Sequence, residues 1–150
     1  MNMKVFLDTN VVMEFLTQRE LYSVVRKIMI AAQTKQITAC LSTISLSTIV
    51  YLLGLKLKAN SIHEPEKRAK IRSLLIDLEK YIKIVDLSHE MSIQALEDND
   101  FKDIEDSFQY YCAVENDCEY VITINTKDFP QKENGLKVCN PTEFVDEFIV

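Results

Sequence analysis

Apolar residues in this chain fall into two kinds of run. Short continuous runs stop at a polar residue, and longer segments repeat an apolar position every three or four residues. The first short run, 3–7, carries Val5, Phe6 and Leu7 and stops at Asp8, as a strand buried on both faces of a parallel sheet does. Val11, Val12, Phe15 and Leu16 then recur at helical spacing. A second helix is predicted over 23–34, carried by Val24, Ile28, Ala31 and Ala32, and a second strand over 37–41. Ser42 is placed to cap a helix through Ile44, Leu46, Ile49, Val50 and Leu53, with Gly54 suited to its end. The segment 56–63 is the most polar connection. Ile71, Leu74, Leu75 and Leu78 mark a helix over 66–81, and a third strand follows over 82–87. A short helix over 88–97 precedes one opened by Asp103 and running through Phe108, Tyr111, Cys112 and Val114. Strands over 120–123 and 136–139 come next, and Pro141 starts a last helix with Phe144, Val145, Phe148 and Ile149.

Strands alternating with helices predict an α/β domain whose parallel sheet is covered on both faces. No repeat or boundary interrupts the pattern, so one domain over 1–150 is expected. An apolar fraction of 47% with 2 Gly and 3 Pro excludes a disordered or collagen-like chain. No apolar run nears the ~20 residues of a membrane span. The opening Met1-Asn2-Met3-Lys4 does not read as an export signal, so a cytoplasmic protein with no membrane partner is expected. The four cysteines form no CxxC pair and there are two histidines, His63 and His89, read as solvent-exposed; zinc is not the expected metal. Free thiols are expected, with Cys40 and Cys139 buried. The net charge of −6 argues against a broad cationic surface for nucleic acid. Lys56, Lys58, Lys67, Arg68, Lys70 and Arg72 cluster nonetheless. That stretch reads as a solvated face, and it is also the one place where RNA phosphates would be steered.

Open α/β sheets bind ligands beyond the carboxyl ends of their strands. Asp8-Thr9-Asn10 follows the first strand, with Glu14 a turn later; Ser42-Thr43 follows the second, with Thr48 further on. Asp103, Glu105 and Asp106 open the helix before the fourth strand, and Asn125-Thr126-Lys127-Asp128 follows that strand. Carboxylates gathered on one edge repel unless a cation screens them, and hard oxygen ligands suit Mg²⁺ or Mn²⁺. Plainer readings stand beside these. Asp8-Thr9-Asn10 also suits a helix start, Asp103 reads best as an N-cap, and Ser42 and Thr43 read as caps. Glu14 also reads as an exposed helix residue, and Asp128 as a turn acid before Phe129-Pro130.

Val5-Phe6-Leu7-Asp8-Thr9-Asn10-Val11-Val12, Asp103-Ile104-Glu105-Asp106-Ser107-Phe108-Gln109-Tyr110 and Tyr120-Val121-Ile122-Thr123-Ile124-Asn125-Thr126-Lys127-Asp128-Phe129, in that order, resemble the PIN-domain family, which includes the VapC-like toxins. The resemblance runs nearly the whole chain, to Asn140-Pro141-Thr142-Glu143-Phe144. It implies a three-layer α/β/α sandwich around a parallel sheet of about five strands, and metal-dependent RNA hydrolysis at clustered acids. It also implies an antitoxin partner and a homodimer. Asp8 matches the first family acid, and Asp106 the acid before the fourth strand. Asp128, or the oxygen of Asn125, matches the last. The family's second acid, a glutamate after strand two, falls on Thr48, and Glu14 is the carboxylate that would replace it. Asp8, Asp106 and Asp128 are thus the expected catalytic acids. The same three, with Glu14 and Asn125, are the expected ligands of Mg²⁺ or Mn²⁺; Asp103, Asn10 and Thr48 are further candidates.

Two other readings remain. A PIN-like module that has lost turnover with Thr48 and Asn125 would still bind RNA or a protein partner. A phosphohydrolase or receiver domain would want a second acid two residues after the first, where this chain has Asn10.

Overall fold

A computed structural model describes residues 2–133 and 135–149; Met1, in the opening segment read above, lies outside them. The elements run β1 (Met3–Leu7), α1 (Thr9–Leu16), α2 (Tyr22–Gln33), β2 (Ile37–Ser42), α3 (Thr43–Ala59), α4 (Glu66–Glu79), β3 (Ile82–Val85), α5 (His89–Glu97), α6 (Ile104–Glu115), β4 (Tyr120–Ile122), β5 (Lys137–Cys139) and α7 (Pro141–Phe148). A single 3₁₀ turn, Thr126–Asp128, lies between β4 and β5.

The five strands form one parallel sheet in the order β3-β2-β1-β4-β5. Side chains alternate across a strand, so β1 serves both faces. Val5 and Leu7 point into a cluster with Val11, Ile28, Met29, Ile49, Leu78 and Phe144, beneath α1, α2, α3, α4 and α7. Phe6 points the other way, against Cys40, Tyr110, Cys112, Val121 and Phe129, beneath α6. Three layers result, because a strand apolar on both sides needs helices on both.

The chain runs outward from β1 to β2 and β3, then returns to the other side of β1 for β4 and β5. The order therefore reverses between β1 and β4. At such a switch point the two following loops part in opposite directions and leave a crevice at the carboxyl ends.

Most expected elements fall within a residue or two of their places. The third strand is shorter, ending at Val85 rather than 87. Cys40 is buried, whereas Cys139 is only half-buried on the edge strand β5. Among the described residues no helix is long and apolar enough to cross a membrane.

The clearest correction is at Gly54. It does not end its helix: α3 continues to Ala59 through part of the polar connection at 56–63. The stop lies at Ser61, whose φ of 63° is left-handed. Ser61 N–H bonds the Lys58 carbonyl at 3.0 Å, and Ile62 N–H bonds the Leu57 carbonyl at 2.9 Å. That pair of bonds is a Schellman closure, which satisfies the last carbonyls of the helix. A cap built by backbone closure outweighed the weak helix propensity of one glycine.

Gly54 is therefore an interior helical residue, and a Cβ added there meets nothing within 4 Å. Gly54→Ala should stabilise the fold by about 0.5–1 kcal/mol, through unfolded-chain entropy and helix propensity. Urea unfolding measures it; a loss of stability would restore the helix end to Gly54.

Candidate active site at the carboxyl ends of β1 and β4

Asp8 follows β1 and is buried at 6% exposure. Its backbone N–H extends the β1–β4 ladder, bonding the Ile122 carbonyl at 3.0 Å. Its Oδ1 accepts the Thr9 N–H at 2.8 Å, which caps α1, and its Oδ2 accepts the Thr123 hydroxyl at 2.8 Å. Capping and candidate ligation thus use one carboxylate. Burial pushes the Asp8 pKa up against these two bonds, and the Asp103 charge adds to the rise.

Thr123 is fully buried and acts as a hub. Its Oγ1 also accepts the Asn125 N–H at 3.2 Å and the Asn10 Nδ2 at 3.5 Å. Asn10 Oδ1 accepts the Ile124 N–H at 3.3 Å. The start of α1 and the loop after β4 are therefore stitched together around Asp8.

Asp106 lies in the first turn of α6, half-buried. Its pKa rises from 3.8 to about 7, first by burial, then by the charges of Asp8, Asp103, Asp128 and Glu105. Four carboxylates from three separate segments thus act on it. Glu105 is raised as well, by loss of hydration and by Asp103 and Asp8. Asp103 is the N-cap expected: its Oδ1 accepts the Glu105 N–H at 2.9 Å. Asp128 closes the 3₁₀ turn, with its N–H on the Asn125 carbonyl at 3.0 Å; both side chains are exposed. Beside Asp128, the ring of Phe129 meets that of Phe101 edge-on at 5.9 Å, so this loop is packed against the segment that leads to Asp103.

Asp8, Asp103, Glu105, Asp106 and Asp128 are thereby brought within electrostatic reach of one another. Glu14 is held differently: one carboxylate oxygen accepts the Leu21 N–H at 3.1 Å, in the connection between α1 and α2. The Thr48 hydroxyl turns back on its own helix, donating to the Ile44 carbonyl at 3.2 Å. His63 and His89 are exposed, as expected. Lys58 sits 16 positions after the α3 cap Ser42, about 24 Å along the helix axis from the acid edge.

Sequence reasoning missed a buried polar group under this edge, formed by Thr9, Ser42, Ser45 and Gln109. Thr9 and Ser45 share a hydroxyl bond at 2.7 Å, and Ser42 Oγ donates to Gln109 Oε1 at 2.7 Å. Gln109 Nε2 donates to Thr9 Oγ1 at 3.2 Å and Ser45 Oγ at 2.5 Å. Thr123 and Glu105 also went unassigned. The available signal was a polar residue next to the apolar positions Tyr110, Cys112 and Ala113, at Gln109, and a hydroxyl directly after a strand, at Thr123.

A PIN-domain family model matches residues 4–127. The chain belongs to the PIN-domain family. Solved structures agree at the level of fold. One is the VapBC2 complex of Rickettsia felis bound to a promoter DNA fragment, with a TM-score of 0.61 at 18% identity, covering 92% of this chain and 98% of that one. Another is VapC20 of Mycobacterium tuberculosis, a sarcin-ricin-loop-cleaving toxin, at 0.57 and 14%, covering 78% and 86%. A third is VapBC-1 of nontypeable Haemophilus influenzae, at 0.57 and 17%, covering 93% and 99%. No curated protein matches by sequence.

The donor set of this PIN domain fits a hard divalent cation. Every candidate donor is an oxygen, and burial together with the charges of its acidic neighbours raises the Asp106 pKa to about 7. Among the described residues no three His, Cys, Asp or Glu side chains form a ready-made cage for a metal. Mg²⁺ in particular retains several waters and takes only one or two carboxylates directly, so an open arrangement suits it.

The raised Asp106 pKa carries a sign. Between about pH 4 and pH 7 the folded chain holds a proton that the unfolded chain has lost. This favours folding below pH 4, and the benefit is lost as pH rises through 7. Asp8 and Glu105, also raised, act in the same direction. In chelator, Asp106→Asn should therefore gain stability over wild type at pH 8 and lose that gain at pH 4. Urea midpoints across pH read this out; parallel curves for the two proteins would mean that Asp106 stands apart from its neighbours' charges.

Proposed function

We propose that this chain is a metal-dependent endoribonuclease of PIN type, acting on RNA phosphodiesters at the crevice between β1 and β4. The observation that carries the reading is the convergence of charge on Asp106 from Asp8, Asp103, Asp128 and Glu105 at the switch point of the sheet. Such a concentration of like charge is costly for stability and is the usual mark of a functional site.

Asp8 and Asp106 would hold Mg²⁺ or Mn²⁺, with Asp128 and the side-chain oxygen of Asn125 at the open rim. Glu14 would join only by leaving the Leu21 N–H. When bound, the cation supplies a Lewis acid that makes water nucleophilic near neutral pH and offsets charge gathering on the phosphate. The chain's own part is positional. Thr123 orients the Asp8 carboxylate, and Asn10 fixes the loop bearing Asn125 and Asp128. Asp106, whose pKa is raised to about 7, would release its proton when a cation is bound.

The partner expected of this reading is an antitoxin protein, since two of the similar structures are VapBC complexes. Exposed apolar side chains are available for a partner or a second copy, including Tyr51 at 66% and Ile104 at 58% exposure. A cytoplasmic location and a homodimer complete the proposal.

Binding without turnover is the second reading. It is favoured by Thr48, whose hydroxyl bonds its own helix at the place where the family has a carboxylate.

Wild type should cleave RNA with Mn²⁺ or Mg²⁺ and stop in EDTA. Asp8→Asn, which keeps an N-cap residue, should stay folded and lose on the order of 100-fold or more in kcat. Cleavage that persists in EDTA would overturn the metal-dependent mechanism, and a wild type inert with both ions would leave the second reading.

Manganese should also raise the melting temperature. At ~100 times the dissociation constant the gain is about 2.7 kcal/mol. Asp8→Asn should show none of it, and an equal shift in both proteins would place the ion elsewhere.

A further inference from the structure

We propose that Gln109 is a positioning residue for the acid site. Its side-chain amide fixes α6 against the ends of β1 and β2 and so sets where the Asp106 carboxylate stands relative to Asp8. The inference rests on the metal-site reading above.

Gln109 is completely buried, and so are Ser42 and Ser45; Thr9 is 9% exposed. The amide uses both of its ends. Its oxygen accepts from Ser42, and its nitrogen donates to Thr9 and Ser45. The three partners come from different places: Thr9 directly after Asp8, Ser42 at the end of β2, and Ser45 in the first turn of α3. Thr9 also donates its N–H to the Asp8 carboxylate that caps α1. A continuous chain of bonds therefore runs from α6 to Asp8.

Asp106 lies three positions before Gln109, on the same side of the helix one turn away. Bonds at Gln109 thus constrain both the rotation of α6 and its distance from β1, in addition to what packing alone would set. Burial alone does not call for an amide here, because the neighbours Tyr110, Cys112 and Ala113 are buried too. Hydrogen bonds are directional and van der Waals packing is not, so a fully satisfied polar group specifies one geometry.

The same helix supplies a control. Ser107, also buried, donates to the Ala95 carbonyl at 2.7 Å, tying α6 to α5 rather than to β1. Losing that bond should loosen α6 without moving its contact with Thr9.

The test compares the full-length wild type, Gln109→Met and Ser107→Ala by Mn²⁺ titration calorimetry, Mn²⁺ electron paramagnetic resonance and RNA cleavage. Gln109→Met should bind Mn²⁺ about 10–100-fold more weakly, the usual effect of removing a group behind a metal ligand. Its kcat should fall while KM for RNA holds. Ser107→Ala should lose thermal stability and keep wild-type Mn²⁺ affinity. Gln109→Met binding Mn²⁺ within twofold of wild type would overturn the proposal, as would an equal loss in Ser107→Ala. Should Gln109→Met not fold, Thr9→Val, which removes one acceptor of the amide, decides: weakened Mn²⁺ binding supports the proposal and wild-type binding overturns it. A wild type that binds no Mn²⁺ would instead overturn the metal-site reading itself.

Discussion

The pairing of β1 with β4 is the constraint on which the site depends. These strands are 115 positions apart at Asp8 and Thr123, yet the ladder between them ends on the Asp8 N–H and the Ile122 carbonyl. That one register sets Asp8 beside the Thr123 hydroxyl. A slip of one residue would turn the Asp8 side chain to the other face of the sheet. It would also take the Thr123 donor from a buried carboxylate. β1 is the central strand and the chain order reverses beside it; at that point Asp8 and Thr123 are buried while Asp103, Glu105, Asn125 and Asp128 are exposed.

Charge at this edge works against folding. Desolvation and repulsion raise Asp8, Glu105 and Asp106 together, so the chain carries a cost that a plain structural role would not explain. Helix capping offsets part of it. Asp8 caps α1 and Asp103 caps α6, and each places its negative charge at the positive end of a helix dipole. Capping and site-building are therefore compatible uses of the same residues. The bland reading of Asp8-Thr9-Asn10 holds for the Asp8 carboxylate Oδ1, and it leaves Oδ2 facing Thr123.

Beneath the acids lies the second organising feature, a buried group of hydroxyls and one amide. Among the described residues no buried side-chain nitrogen or oxygen lacks a hydrogen-bond partner. A satisfied network of this kind is rigid, because breaking any one bond strands another polar atom away from water. It joins the starts of α1 and α3 to the middle of α6. The elements that bear Asp8 and Asp106 are thereby held by directional bonds as well as by packing.

What the sequence determined by itself was local. Apolar runs stopping at polar residues placed the strands, and helical spacing placed the helices, because burial on two faces and burial on one stripe leave different periods. Ser42 and Asp103 were legible as N-caps, since a short polar side chain satisfies the free N–H groups there, and the structure adds Ser88 and Asn140 as caps of α5 and α7. The end of α3 was not legible, because a Schellman closure depends on backbone geometry at Ser61 rather than on a signature residue. Tertiary structure alone decided the rest. It placed Thr123 on Asp8, put Gln109 between three hydroxyls, turned Glu14 to the α1–α2 connection and drew Asp128 to the acids through Phe129 and Phe101. Each of these depends on which strands lie side by side. A strand's own residues specify that it is buried and parallel, but its neighbours are chosen only by the packing of the whole sheet.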